Sequence, residues 1–274
     1  MASVNAAITR LFDLYLALFA WGGAWAGVAA LALVTAVLAM LIFRYTSNQR
    51  AIRRIKDLII SHLLEVALYR DDLRVVLRAE GAILRDNLRY LACALVPLAC
   101  MVIPVGLLLI QGELRYGHRP LQAGERTIVS VKLEPGGRGV DTAAISAPPG
   151  VTVETPPLRI PALGEVDWRV RAEKAGVYDL RLTNAGSQFS KRIVVGEVSR
   201  DRISTHRLAA GGWRQLLHPG EPPLPAAAGI ESIHVSYQPA ELRLFGWRMA
   251  WLWPWLALSM IFGYALKGPL RVQI

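Results

Sequence analysis

The amino-acid sequence predicts a polytopic α-helical membrane protein: three transmembrane helices, a cytoplasmic helical hairpin and an extracytoplasmic all-β, sandwich-like domain. Three observations lead there. Charge is missing between Asp13 and Arg44, between Arg89 and Glu113 and between Arg248 and Lys267, stretches of 30, 23 and 18 residues. A hydrocarbon core about 30 Å thick takes roughly 20 apolar helical residues. Between the first two stretches, apolar residues recur at spacings of three and four, and from residue 120 onward the period drops to two, broken by Gly and Pro. With 53% hydrophobic and 19% charged residues, against about 25% charged in soluble domains, the composition excludes an ordinary soluble enzyme.

Residues 1–13 form an outer head and 14–43 the first span. Ala24-Trp25-Ala26 has the small-x-small form of a signal cleavage site, yet the apolar run continues to Phe43 and ends in a basic cluster, the grammar of an uncleaved anchor. Gly23 and Gly27 make a GxxxG pair beside a second small stripe of Gly22, Ala26 and Ala30, so this span is expected to pack closely against another helix.

Segment 44–89 carries ten basic residues, with Arg44, Arg50, Arg53, Arg54 and Lys56 grouped after the span. Short basic loops resist translocation, which makes this segment cytoplasmic, puts the N-terminus outside and turns the cluster toward anionic head groups. Ser47 and Asn48 offer a helix cap. Ile52, Ile55, Ile59, Leu63 and Val66 then form one stripe, and after Tyr69-Arg70-Asp71-Asp72 a second stripe follows in Leu73, Val76, Leu77, Leu84 and Leu88. The two stripes are expected to pair as a hairpin whose second helix continues into span two, residues 90–111, where Pro97 and Pro104 predict a kink.

Residues 112–246 form the outer domain. Strands are expected at Thr127–Leu133, Val166–Val170, Val177–Thr183, Arg192–Val195 and Ser232–Tyr237, separated by Pro-Gly and Asn-Ala-Gly turns. Residues 199–230 read as one long connection that either wraps the surface or touches the membrane or a partner through Trp213, Leu216 and Leu217. Span three covers 247–266 and a cytoplasmic tail 267–274. Trp21 and Trp25 near the start of span one, with Trp247, Trp251, Trp253 and Trp255 at the start of span three, form an aromatic belt at the outer interface.

The five histidines are scattered without metal-ligand spacing, no nucleotide or hydrolase motif occurs, and the spans lack ionisable groups of the kind transporters keep at membrane depth. No enzyme activity, cofactor or metal is expected. The net charge of +10 is spread over the soluble parts and gives no nucleic-acid footprint. Trp168-Arg169-Val170 and Ala175–Leu182 resemble the late strands of bacterial immunoglobulin-like domains. The layout of an outside N-terminus, a span, a basic helical pair from Ser47-Asn48-Gln49-Arg50 through Leu91 and a Pro97-containing second span resembles the three-span core of the YidC/Oxa insertase superfamily. That resemblance implies an insertase-like biogenesis factor. The residues themselves lead to the expectation of an accessory or scaffolding subunit in the bacterial inner membrane, its partners being other integral membrane proteins and the bilayer.

Overall fold

The structure is a computed structural model that describes residues 2–134, 140–196, 202–210, 214–225, 229–244, 246–270 and 272. The chain divides into two compact units, Met1–Val28 with Leu109–Trp251, and Ala29–Leu108 with Leu252–Ile274.

The second unit is helical. Helix α2 (Gly23–Thr46) is followed by α3 (Gln49–Leu68), α4 (Leu73–Gly112) and, after the β domain, α6 (Leu252–Lys267). The Asn48 side chain accepts from the Ala51 N–H at 3.1 Å, the cap its sequence position predicts, and Asp72 Oδ1 accepts from Arg74 N–H at 2.9 Å to start α4. Helix α4 runs for 40 residues through Pro97 and Pro104, so hairpin helix and apolar stretch are one element.

Among the described residues, two helices are long and apolar enough to cross a membrane, and they belong to the first two uncharged stretches. The first differs from expectation at its start. Residues 14–17 belong to a separate helix, α1 (Ala2–Ala17); a 3₁₀ turn at Ala20–Gly22 follows, and α2 begins at Gly23 with φ +65°. An apolar run reports burial and not backbone continuity, and a glycine pair supplies the left-handed conformation that ends one helix and aims the next. The third stretch also begins differently: Leu242–Leu244 (β10) and Trp247–Met249 (β11) pair as a hairpin, so helix starts only at Leu252. Its 16 residues span about 24 Å.

Helix α2 buries Leu31, Ala32, Thr35, Ala36 and Met40. From α6, the Trp255 indole donates to Thr35 Oγ1 at 3.2 Å, and a Cβ added at Gly263 would lie 3.2 Å from Met40 Cε. The hairpin seam corrects the predicted second stripe. Leu73, Leu77, Leu84 and Leu88 are all more than half exposed; Ala79 and Asp86 are buried instead. His62 Nε2 from α3 sits 3.6 Å from Asp86 Oδ2, and Lys56 Nζ lies 5.7 Å over the Tyr90 ring. Asp86 and Tyr90, rather than the leucines, meet α3.

The first unit holds the antiparallel β domain. A six-stranded sheet orders β3 (Val151–Val153), β5 (Glu165–Ala172), β1 (Arg126–Leu133), β9 (Ile230–Val235) and β8 (His206–Leu208), with β4 (Leu158–Ile160) also on β5. The other sheet orders β2 (Ala144–Ser146), β6 (Gly176–Asn184) and β7 (Ser187–Val195). Alternation does the folding: Val129 and Val131, Val166, Trp168 and Val170, and Leu180 and Leu182 all enter one core while their neighbours face out. The five expected strands all occur, their ends no more than five residues from the expected ones. The six short strands were not legible, since three residues carry too little pattern. One strand, β8, and one helical turn, α5 (Arg214–Leu217), lie inside the segment expected to be an unbroken loop.

Candidate functional site

The predicted small-residue face is turned inward in part. Gly27 is buried, and a Cβ built there would fall 1.9 Å from the Tyr116 hydroxyl, so the close approach it permits is to a side chain of this chain's π-helical turn, Glu113–Gly117. Gly22 lies in the 3₁₀ turn and Gly23 heads α2, so neither stands on a regular helix face as the GxxxG reading requires. Ala30 is buried and Ala26 half-buried.

The six indoles of the expected belt divide. Trp21, Trp247 and Trp253 are at least two-thirds exposed. The others are held inside the protein: Trp25 Nε1 donates to Arg243 O at 3.1 Å, Trp251 Nε1 to Glu113 Oε2 at 3.0 Å, and Trp255 to Thr35. An indole satisfies either role, an apolar ring in lipid or a buried ring with its N–H paired, and sequence does not separate them. Among the basic cluster, Arg44, Arg50, Arg53 and Arg54 are exposed, whereas Lys56 is half-buried over Tyr90. Leu217 is exposed; Trp213 lies outside the described residues, as does the side chain of Leu216.

The described residues of the long segment after β7, 202–210 and 214–225, return to the β domain. Leu224 is fully buried in the β core and its amide donates to Leu208 O at 2.8 Å. Arg207 Nε donates to Pro222 O at 2.8 Å. The strongest anchor is Lys191. Phe189, Lys191 and Ile193 share the inward register of β7, which puts a lysine at a core position on an edge strand. Its ammonium, fully buried, donates to Ser204 O at 2.7 Å and pairs with the Glu221 carboxylate of the proline-rich segment. Burial pushes the Lys191 ammonium below its ordinary value, and Glu221 opposes that shift. The strand was expected to begin at Arg192, because a lysine breaks an apolar alternation; following the alternation back to Phe189 would have found it.

Three histidines that are far apart in sequence stack here. His206 on β8 is the register partner of His234 on β9, with ring centroids 4.4 Å apart and planes tilted by 32°, and the His218 ring lies 5.0 Å from His206, tilted by 57°. Burial, followed by the His234 and His218 rings, lowers His206 to about 4; burial, then Lys191 and His118, lowers His234. His206 and His234 are therefore neutral at pH 7. Among the described residues no set of three His, Cys, Asp or Glu side chains is arranged around a metal position.

Beside the stack lies a cleft of about 290 Å³. Helix α1 contributes Thr9 and Arg10, β7 contributes Arg192, the approach to β8 contributes Arg202, and the segment from Gln215 to Pro223 closes it. Helix α1 is held in place by Arg115, which donates to Asp13 Oδ1 at 2.5 Å and to Thr9 O at 3.3 Å. Gly220 makes the wall thin, since a Cβ there would come within 2.6 Å of Ser204 Cβ and 2.9 Å of Leu114 Cδ2. Against known proteins, the chain matches no family model, no curated protein and no solved structure.

Proposed function

We propose that the chain is a non-enzymatic accessory or scaffolding subunit of a larger membrane assembly in a bacterial inner membrane, with its N-terminus and β domain outside and its helical hairpin and C-terminus in the cytoplasm. The observation that carries this reading is the surface of α4. Leu91, Leu95, Leu98 and Val102 recur at spacings of four, three and four and are all more than half exposed, and Val96 and Ile103 widen the same face. An apolar strip of this length has no place in water. The hairpin leucines extend it beyond the uncharged stretch, where lipid tails no longer provide cover and a protein partner would. Exposed arginines at the base of α3 support the inward orientation of the hairpin. In this reading α6, with Trp253 at its outer end, completes a third crossing.

The test is site-specific photo-crosslinking from Leu77, Leu95 and Val102 in intact membranes, combined with purification in mild detergent. Adducts to one fixed set of integral membrane proteins that also copurify in constant ratio are expected. Lipid adducts alone at all three positions, with no stoichiometric companion, would refute the subunit reading. Adducts to newly made, still-inserting chains would replace it with the insertase-like one.

A further inference from the structure

We propose that the cleft between α1 and the proline-rich segment of the β domain is a binding site for a phosphate ester. Charge is the first argument. Arg10, Arg192 and Arg202 line the cleft, and its one carboxylate, Glu221, is already engaged by Lys191. Neighbouring acids leave the guanidinium groups largely unspent: Arg202 Nε stands 3.7 Å from an Asp13 that Arg115 holds at 2.5 Å, Arg192 Nε stands 3.8 Å from Asp179, and Arg10 has no ion pair among the described residues. A carboxylate would leave most of that positive charge uncompensated, whereas a phosphate monoester brings a charge of about −1.5 to −2 and three acceptor oxygens suited to guanidinium forks.

Shape is the second argument. The cleft's roughly 290 Å³ sits at the small end of small-molecule sites and exceeds what a bare phosphate fills, so the group it takes is attached to a body of a few atoms. The wall is fixed rather than adaptable, being pinned by Lys191–Glu221 and by Arg207 to Pro222. Helix α1 adds a hint of the source. It turns Thr9 inward while Leu11 and Leu14, on the other face, and Leu18 just past its end are about two-thirds exposed. A helix lying on lipid by that face would hold Arg10 at head-group level, so the phosphate ester belongs either to a lipid head group or to a free metabolite of the same chemistry.

The experiment uses the full-length protein in an uncharged detergent, titrated calorimetrically with glycerol phosphate, and in phosphatidylcholine nanodiscs with or without phosphatidic acid, read by hydrogen exchange of residues 206–223. Saturable binding of glycerol phosphate is expected, weakened about tenfold by Arg10→Gln and by Arg192→Gln, the loss of one charge-assisted contact each. Both side chains are exposed, so the melting temperature of each variant should equal that of the parent. Protection that appears only with phosphatidic acid supports the site and identifies a head-group source; binding in detergent supports it and identifies a soluble one. No saturable binding in either setting, equal binding of succinate, or binding unchanged in the doubly substituted protein would overturn the proposal. The detergent arm does not rest on the subunit reading, so copurification and anion binding fail separately.

Discussion

Glu221→Gln tests whether the buried ion pair organises the β domain. Lys191 is inaccessible to solvent at an inward position of β7, and its ammonium has two protein acceptors, Ser204 O and Glu221. Breaking a buried pair by removing one charge typically costs about 3–5 kcal/mol, because the other charge is left in a poorly polarisable place. A ceiling also exists: the lysine can lose its proton, which at pH 7 costs about 5 kcal/mol when the unfolded value is near 10.4. Glu221→Gln should therefore destabilise the domain by about 3–5 kcal/mol. If the lysine folds neutral in this variant, the unfolded state binds more protons, and stability should rise by about 1.4 kcal/mol per pH unit between pH 7 and 10. Lys191→Met should cost less, since Glu221 keeps the Arg192 N–H at 3.3 Å and a sliver of solvent contact. The double variant Lys191→Met/Glu221→Gln should recover most of the loss. The assay is urea titration of the full chain in detergent, followed by hydrogen exchange of β6 and β7 peptides, which isolates this domain from the helices. A cost under about 1 kcal/mol for Glu221→Gln with no pH slope, or strictly additive single effects, would refute the reasoning.

Three further outcomes are expected. Because His206 is held near 4 in the fold, the unfolded state takes up the proton first as pH falls below about 6.5; stability should drop between pH 7 and pH 5, by about 1 kcal/mol after allowing for a half-buried site. His206→Leu should flatten the unfolding midpoint over that range, and an unaltered slope would show that the histidine stack is not its source. Gly27→Ala should destabilise by about 1–3 kcal/mol through its clash with Tyr116, and Tyr116→Ala should relieve the clash in the double variant, measured by thermal unfolding in detergent. Trp168→Ala, which empties the centre of the β core, should cost about 3–5 kcal/mol in the same urea assay.

Periodicity and charge, which act locally, were enough to determine much of this protein from sequence. The alternation of Val129, Val131, Val166, Trp168 and Val170 could bury one face only as a sheet, and Asn48 and Asp72 cap their helices whatever surrounds them. The long helix through residue 112 and the absence of charge from its second half were equally legible. Contact between distant segments was not. The hydropathy run across residues 14–43 hides a break at Gly22-Gly23, since apolarity carries no information on φ. Leucines that read as the hairpin's seam are exposed, while the contacts to α3 come from Asp86 with His62 and from Tyr90 under Lys56, pairings that an apolar stripe does not announce. Which indoles face out, which histidines stack and which carboxylate meets Lys191 depend on strand register and on where a 30-residue segment returns to the sheet. Register sums many weak contacts along both strands, and no residue taken alone specifies it. The arginine-lined cleft belongs to this second class: its three cations lie on three separate elements and become one site only when α1 is held beside the β domain.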